Sequence, residues 1–153
     1  MDHLPLIIAI IVLVLLSGFF SGTETAFSCA NKIRLKTYVS QDKKNAKAVY
    51  KFADEDYDKL VTAILVGNNI VNLTASALGT ILFAQLIINQ ELSATVSTIV
   101  LTVVVLIFGE ITPKTAATNK ANSMALLYAK IIWGLMFILT PVIFIVNILS
   151  SGV

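Results

Sequence analysis

Three long stretches without one charged side chain, Leu4–Thr23, Leu60–Gln90 and Leu92–Gly109, constrain this chain more than any other feature. A helix crossing the hydrocarbon core takes roughly 17–25 mostly apolar residues, and each stretch is long enough. The second exceeds one crossing, so it tilts or projects beyond the bilayer. A fourth stretch, Ile131–Val153, is preceded by Lys130 inside an otherwise apolar stretch from Ala121 and is interrupted by Pro141. Composition agrees: 57% of the residues are apolar and 13% are charged, about half the charge of a soluble domain. That balance excludes a soluble globular fold, and disorder needs the opposite one. What remains is an integral membrane protein. Its spans are helical, because a helix satisfies its own backbone polar groups in lipid. A length of 153 residues allows one domain of a few spans.

Other classes fall away quickly. The net charge of +2 is too small to imply nucleic acid. Cys29 is the single cysteine, so no intrachain disulfide forms. The start Met1-Asp2-His3 lacks the basic region of a secretory leader, and no small-x-small cleavage site precedes a polar segment. The first stretch is therefore expected to be a retained span.

Lysine and arginine set the orientation. Lys32, Arg34, Lys36, Lys43, Lys44, Lys47, Lys51 and Lys59 lie between the first two stretches, and Lys114, Lys120 and Lys130 follow the third. The link between the second and third stretches holds only Glu91. The basic segments are expected on the cytoplasmic side of the cell membrane, with the N-terminus and Glu91 outside. Between Asn31 and Lys59, apolar Ile33, Leu35, Tyr38, Val39, Ala46, Val49, Tyr50 and Phe52 alternate with charges at helical spacing, the pattern of an interfacial amphipathic helix. Asp54, Glu55, Asp56 and Asp58 precede the second stretch, where the helix dipole favours negative charge. The fourth stretch is open: hydropathy favours a span, and Pro141 allows a broken in-plane helix.

Polar residues inside apolar runs are costly and mark sites by default. In the first run Gly18 and Gly22 form G-x-x-x-G, which admits a neighbouring backbone. Ser17, Ser21 and Thr25 share one face at a spacing of four. Ser17 reads as a packing residue bonded one turn back in its own helix; Ser21 is placed to offer its oxygen to a ligand. The second run carries Asn68, Asn69 and Asn72, with Asn68, Asn72 and Ser76 on one face. These amides either bond between helices or turn their oxygens to a cation. The third run ends Gly109-Glu110-Ile111-Thr112-Pro113-Lys114. Pro113 has no N–H, so the carbonyl of Gly109 loses its helical partner. A broken helix with free carbonyls beside a carboxylate is how transporters build cation sites; the alternative is an interfacial Glu110–Lys114 pair four residues apart.

Depth links the three motifs. At a rise of 1.5 Å per residue, Ser21 lies about 25 Å in from the outer face, Asn68 and Asn72 roughly 12–18 Å from the cytoplasmic face, and Glu110 about 27 Å in from the outer face. All fall in the cytoplasmic half. The donors are hard oxygens, which suit Mg²⁺, Ca²⁺ or Na⁺ rather than zinc or copper. His3, the sole histidine, is terminal, and there is no P-loop, so hydrolytic triads, H-E-x-x-H chemistry and ATPase activity are not expected.

The segments S-G-T-E-T-A (Ser21 to Ala26), G-N-N-I-V-N (Gly67 to Asn72) and G-E-I-T-P-K (Gly109 to Lys114) resemble the transmembrane domain of the CorC/CNNM (cyclin M) family. The resemblance covers nearly the whole chain. It implies an all-α Mg²⁺ transporter that exports Mg²⁺ in exchange for Na⁺. It also implies a homodimer with three membrane helices per protomer, at about 4–28, 60–88 and 92–112, and a cytoplasmic-side belt of juxtamembrane helices at about 31–58 and 116–150. The dehydrated Mg²⁺ would fall on Ser21, Asn68, Asn72 and Glu110, with backbone carbonyls near Gly109. Gly22, Glu24, Asn69, Pro113 and Lys114 stand in the same motifs and are assigned to the ion pathway or helix break. Such proteins continue into cytoplasmic CBS-pair domains that bind nucleotide. This chain stops at Val153 and is expected to be a truncated form, with ATP acting only through those domains. Two rival functions stay open: a membrane anchor and dimerisation module for a cytoplasmic sensor, and a cation channel.

Overall fold

A computed structural model describes residues 2–152. Met1, part of the start read above as leaderless, and Val153, the end of the fourth stretch, lie outside the described residues. The elements among the described residues are all helical: α1 (Leu4–Cys29), α2 (Lys32–Ser40), α3 (Ala46–Asp54), α4 (Tyr57–Leu86), α5 (Gln90–Val104), a π-helical segment (Val105–Ile111), α6 (Thr112–Asn119), α7 (Ala121–Ile138) and α8 (Thr140–Ser151).

Among the described residues, four helices are long and apolar enough to cross a membrane, one more than the three expected: Leu4–Cys29, Tyr57–Leu86, Gln90–Asn119 and Ala121–Ile138. Their apolar side chains are exposed in quantity, for example Ile8 and Leu15 on α1, Leu73 and Ile81 on α4, and Ile99 and Val103 on α5. Apolar surface of that extent is at home in lipid and not in water.

The chain forms two compact units, Met1–Gly22 with Gly67–Thr115, and Thr23–Val66 with Ala116–Val153. In the first, α1 and α4 run antiparallel: His3 Nδ1 meets Gln85 Oε1 at 3.0 Å near one end, and Phe20 covers Gly67 near the other. Ile10, Val14, Leu82 and Leu101 form the apolar core. Leu101 lies against Gly79, where the missing side chain lets α5 approach α4.

In the second unit, the Asn31–Lys59 segment is two short helices rather than one. The chain reverses between them through Asp42 (φ 53°) and Asn45 (φ 65°), and left-handed backbone is one that Asn and Asp tolerate. Asn31 Oδ1 caps α2 by accepting from Arg34 N at 3.1 Å. Helix α3 is amphipathic, burying Ala46, Val49, Phe52 and Ala53. Asn45 Nδ2 donates to the Leu126 carbonyl at 3.1 Å, tying the reversal to α7.

The fourth stretch is not one element. Helix α7 begins ten residues before Ile131, at Ala121, and ends at Ile138. Helix α8 starts at Thr140 with Pro141 in its first turn, a position where proline's missing N–H costs nothing. The break falls at Leu139, because Pro141 has no N–H for the Phe137 carbonyl four residues back and its ring would clash with that carbonyl in a continuous helix.

Candidate cation site

Ser17, Ser21, Asn68, Asn72, Gly109, Glu110, Pro113 and Lys114 all belong to the first unit. Ser17 Oγ, fully buried, donates to Asn68 Oδ1 at 3.0 Å across the α1–α4 contact. This corrects the assignment of Ser17 to its own helix. Once Asn68 lies opposite, an amide oxygen competes with a carbonyl that already holds a helical bond. Gly109 packs at the same level: a methyl added there would lie 3.0 Å from Ser17 Oγ. Three helices therefore meet at Ser17, Asn68 and Gly109.

The third helix does not break at Pro113. It widens over Val105–Ile111 into π geometry and continues as α6. Thr112 N–H donates to Ile107 O, five residues back. In that register the donor due to the Phe108 carbonyl belongs to Pro113, which has none. The carbonyl released by this register is that of Phe108, one residue before the Gly109 carbonyl expected. It is aimed at α1, 3.1 Å from where a Gly18 side chain would begin, with the Pro113 ring at 3.0 Å from the same point. Gly18 is the small residue that admits this approach. Such π segments recur at functional sites.

Asn72 sits one turn along α4 from Asn68. Its Oδ1 is buried and has no hydrogen-bond partner. A buried acceptor left unmade costs about 1–3 kcal/mol. Ser21 is buried one turn along α1 from Ser17. Because the helices are antiparallel, Ser21 and Asn72 fall on opposite sides of the Ser17–Asn68 level, about 6 Å each way. Both Cα–Cβ bonds tilt back toward that level, but Ser21 and Asn72 are not brought to one point. Asn69 and Ser76 are exposed on α4. Glu110 is half-buried beside Gly109. Among the described residues the ion pairs are Lys32–Asp54, Lys51–Asp56 and Lys59–Asp56, and Glu110 is in none of them. Gly22 is buried, Lys114 is exposed on α6, and Glu24 is half-buried in the second unit.

Among the described residues no three His, Cys, Asp or Glu side chains cluster as a metal site. The candidate oxygens are neutral apart from Glu110, a set whose chemistry suits a hard cation and not thiolate- or imidazole-seeking metals.

The fold defines a multi-pass, all-helical membrane protein with a polar cluster among its apolar helices. The chain belongs to the CNNM family: residues 7–153 match the Cyclin M transmembrane N-terminal domain. It is 35% identical to a UPF0053 protein of Haemophilus influenzae over 99% of this chain and 36% of that protein. It is also 35% identical to the UPF0053 inner membrane protein YfjD of Escherichia coli, over 88% of this chain and 31% of that one. A chloroplastic DUF21 domain-containing protein of Arabidopsis thaliana is 33% identical over 93% of this chain and 21% of its own length. The chain thus spans about a third or less of the length of these relatives.

Proposed function

We propose that this domain is the membrane part of a Mg²⁺ transporter that exports Mg²⁺ across the cell membrane in exchange for Na⁺. The observation that carries this reading is the buried, unpartnered Oδ1 of Asn72, one turn from the Ser17–Asn68–Gly109 contact. An acceptor without a donor, kept in an apolar bundle, is stabilised by a cation. Mg²⁺ takes oxygen ligands at about 2.0–2.1 Å, so Asn72, one turn from Asn68, joins a shared ion through its side chain, which leans back toward that level. We assign Asn68, Asn72, Glu110 and a backbone carbonyl of the Phe108–Gly109 turn to the shell. Ser17 lies at that level. Ser21 is the next oxygen toward the cytoplasm on the same face of α1, a partner for entry or for a shifted state. One carboxylate with neutral oxygens leaves a loaded site with a charge of about +1, weak enough to release its ion.

Export needs a coupling ion. Moving two charges out against a potential negative inside costs roughly 4.6 kcal/mol per 100 mV, which inward Na⁺ offsets. The homodimer belongs to the proposal as well: exposed Asn69, beside exposed Ile70 and Leu73, is a polar side chain that a partner helix would satisfy.

The Ser17–Asn68 bond favours a second reading, in which the polar residues only join helices of a membrane anchor. Thermal unfolding in detergent separates the two. A site on the folded state makes the midpoint rise with Mg²⁺; a midpoint indifferent to millimolar Mg²⁺ leaves the anchor.

A further inference from the structure

A groove in the second unit, between α3 and the α7–α8 pair, encloses ≈ 730 Å³, within the range of about 300–1,000 Å³ that holds a small organic ligand. Its chemistry is divided. The wall is apolar and aromatic, formed by Phe52 of α3, Trp133 and Phe137 of α7, and Ile143 and Phe144 of α8. Trp133 and Phe137 stack with centroids 6.4 Å apart and are both exposed. The rim carries Lys51 and Lys59 with Asp56 between them. Asp56 is the shared partner of both ammonium groups, at 3.7 and 3.8 Å. These distances exceed those of a hydrogen bond. Two cations against one carboxylate leave the rim with a charge of +1 and unused donors.

We propose that this groove binds an anionic phospholipid, one acyl chain lying along the aromatic wall and the phosphate bridging Lys51 and Lys59. Basic pockets beside membrane helices take anionic headgroups, and indole rings favour the headgroup level. The residual positive charge selects an anionic over a zwitterionic headgroup. A second copy of the chain fits less well, because a two-fold contact brings like surfaces together and would set this basic rim against itself.

The test uses the delipidated protein in an uncharged detergent, with binding read by native mass spectrometry and by the unfolding midpoint. The probes are dioleoylphosphatidylglycerol, dioleoylphosphatidylcholine and glycerol 3-phosphate. The phosphatidylglycerol should bind and raise the midpoint, the phosphatidylcholine should bind more weakly, and glycerol 3-phosphate should do neither. The double variant Lys51→Gln/Lys59→Gln should bind phosphatidylglycerol about 25-fold more weakly, about fivefold for each lysine. Both side chains are mostly exposed, so its fold should persist. Lys44→Gln/Lys47→Gln removes the same charge away from the groove and should bind as the parent does. Equal binding of the two lipids, equal losses in the two double variants, or a full effect from glycerol 3-phosphate would each overturn the proposal. So would a dimer that falls apart as lipid binds, since that assigns the groove to a second copy.

Discussion

Replacing Asn72 by leucine separates a ligand from a structural amide, because the two roles predict opposite signs. Leucine has nearly the shape of asparagine and no acceptor. If Oδ1 is unpartnered in the metal-free protein, its removal cancels a penalty of about 1–3 kcal/mol. For a chain of this length each kcal/mol moves the midpoint by about 2–4 °C, so metal-free Asn72→Leu should unfold about 2–12 °C higher than the parent. Mg²⁺ at a hundred times its dissociation constant stabilises the parent by about 2.7 kcal/mol, and the variant should lose that response. Thermal unfolding in detergent with EDTA, then with Mg²⁺, reads both effects on one sample. A variant that is less stable in EDTA and still responds to Mg²⁺ would refute the reasoning, since the amide would then be bonded within the protein and absent from the site.

Ser17→Ala removes the donor to Asn68 and leaves a buried acceptor, so it should destabilise the metal-free protein by about 1–3 kcal/mol, the reverse of Asn72→Leu in the same assay. Gly18→Ala sets a methyl 3.0 Å from the Pro113 ring and 3.1 Å from the Phe108 carbonyl. Backbone oxygen yields little, so a loss of about 1–3 kcal/mol is expected, read as a lower unfolding midpoint. Cysteines placed singly at Lys44 and Lys120 in a Cys29→Ser background should react with a membrane-impermeant maleimide from the cytoplasmic face, and one at Glu91 from outside. A reversed pattern would overturn the orientation.

The charge-free runs were legible because a buried charge in lipid is costly, and that cost is written residue by residue. Helix α1 starts at Leu4, where the first run starts. The amphipathic segment was legible as apolar residues at helical spacing, but its division into α2 and α3 depends on left-handed Asp42 and Asn45, whose conformation spacing does not record. The apolar stretch from Ala121 was legible, and Lys130 within it interrupts the apolar pattern without interrupting helix α7.

Within the cluster, depth counting grouped Ser21, Asn68, Asn72 and Glu110, whereas the residues that touch in the structure are Ser17, Asn68 and Gly109. The role of Ser17 was missed because its nearest acceptor by sequence is one turn back, whereas its actual one is 51 residues away. The same depth count applied to Ser17, about 20 Å in from the outer face, sets it near the level of Asn68 and would have been the signal. Pro113 announced a lost hydrogen bond but not which carbonyl loses it. That depends on whether the helix keeps α register or widens to π, as it does over Val105–Ile111.

Mg²⁺ efflux from proteoliposomes tests the central claim most directly. Vesicles loaded with Mg²⁺ and a fluorescent reporter, carrying the parent or Glu110→Gln, are diluted into Na⁺ or choline. Efflux from the parent should rise with external Na⁺ and fall to the protein-free rate in choline. Glu110→Gln keeps the shape, removes the one carboxylate beside the π-segment carbonyls, and should show no efflux above background in either. Parent efflux that is equal in Na⁺ and choline, or a Glu110→Gln variant that transports as the parent does, would contradict the account.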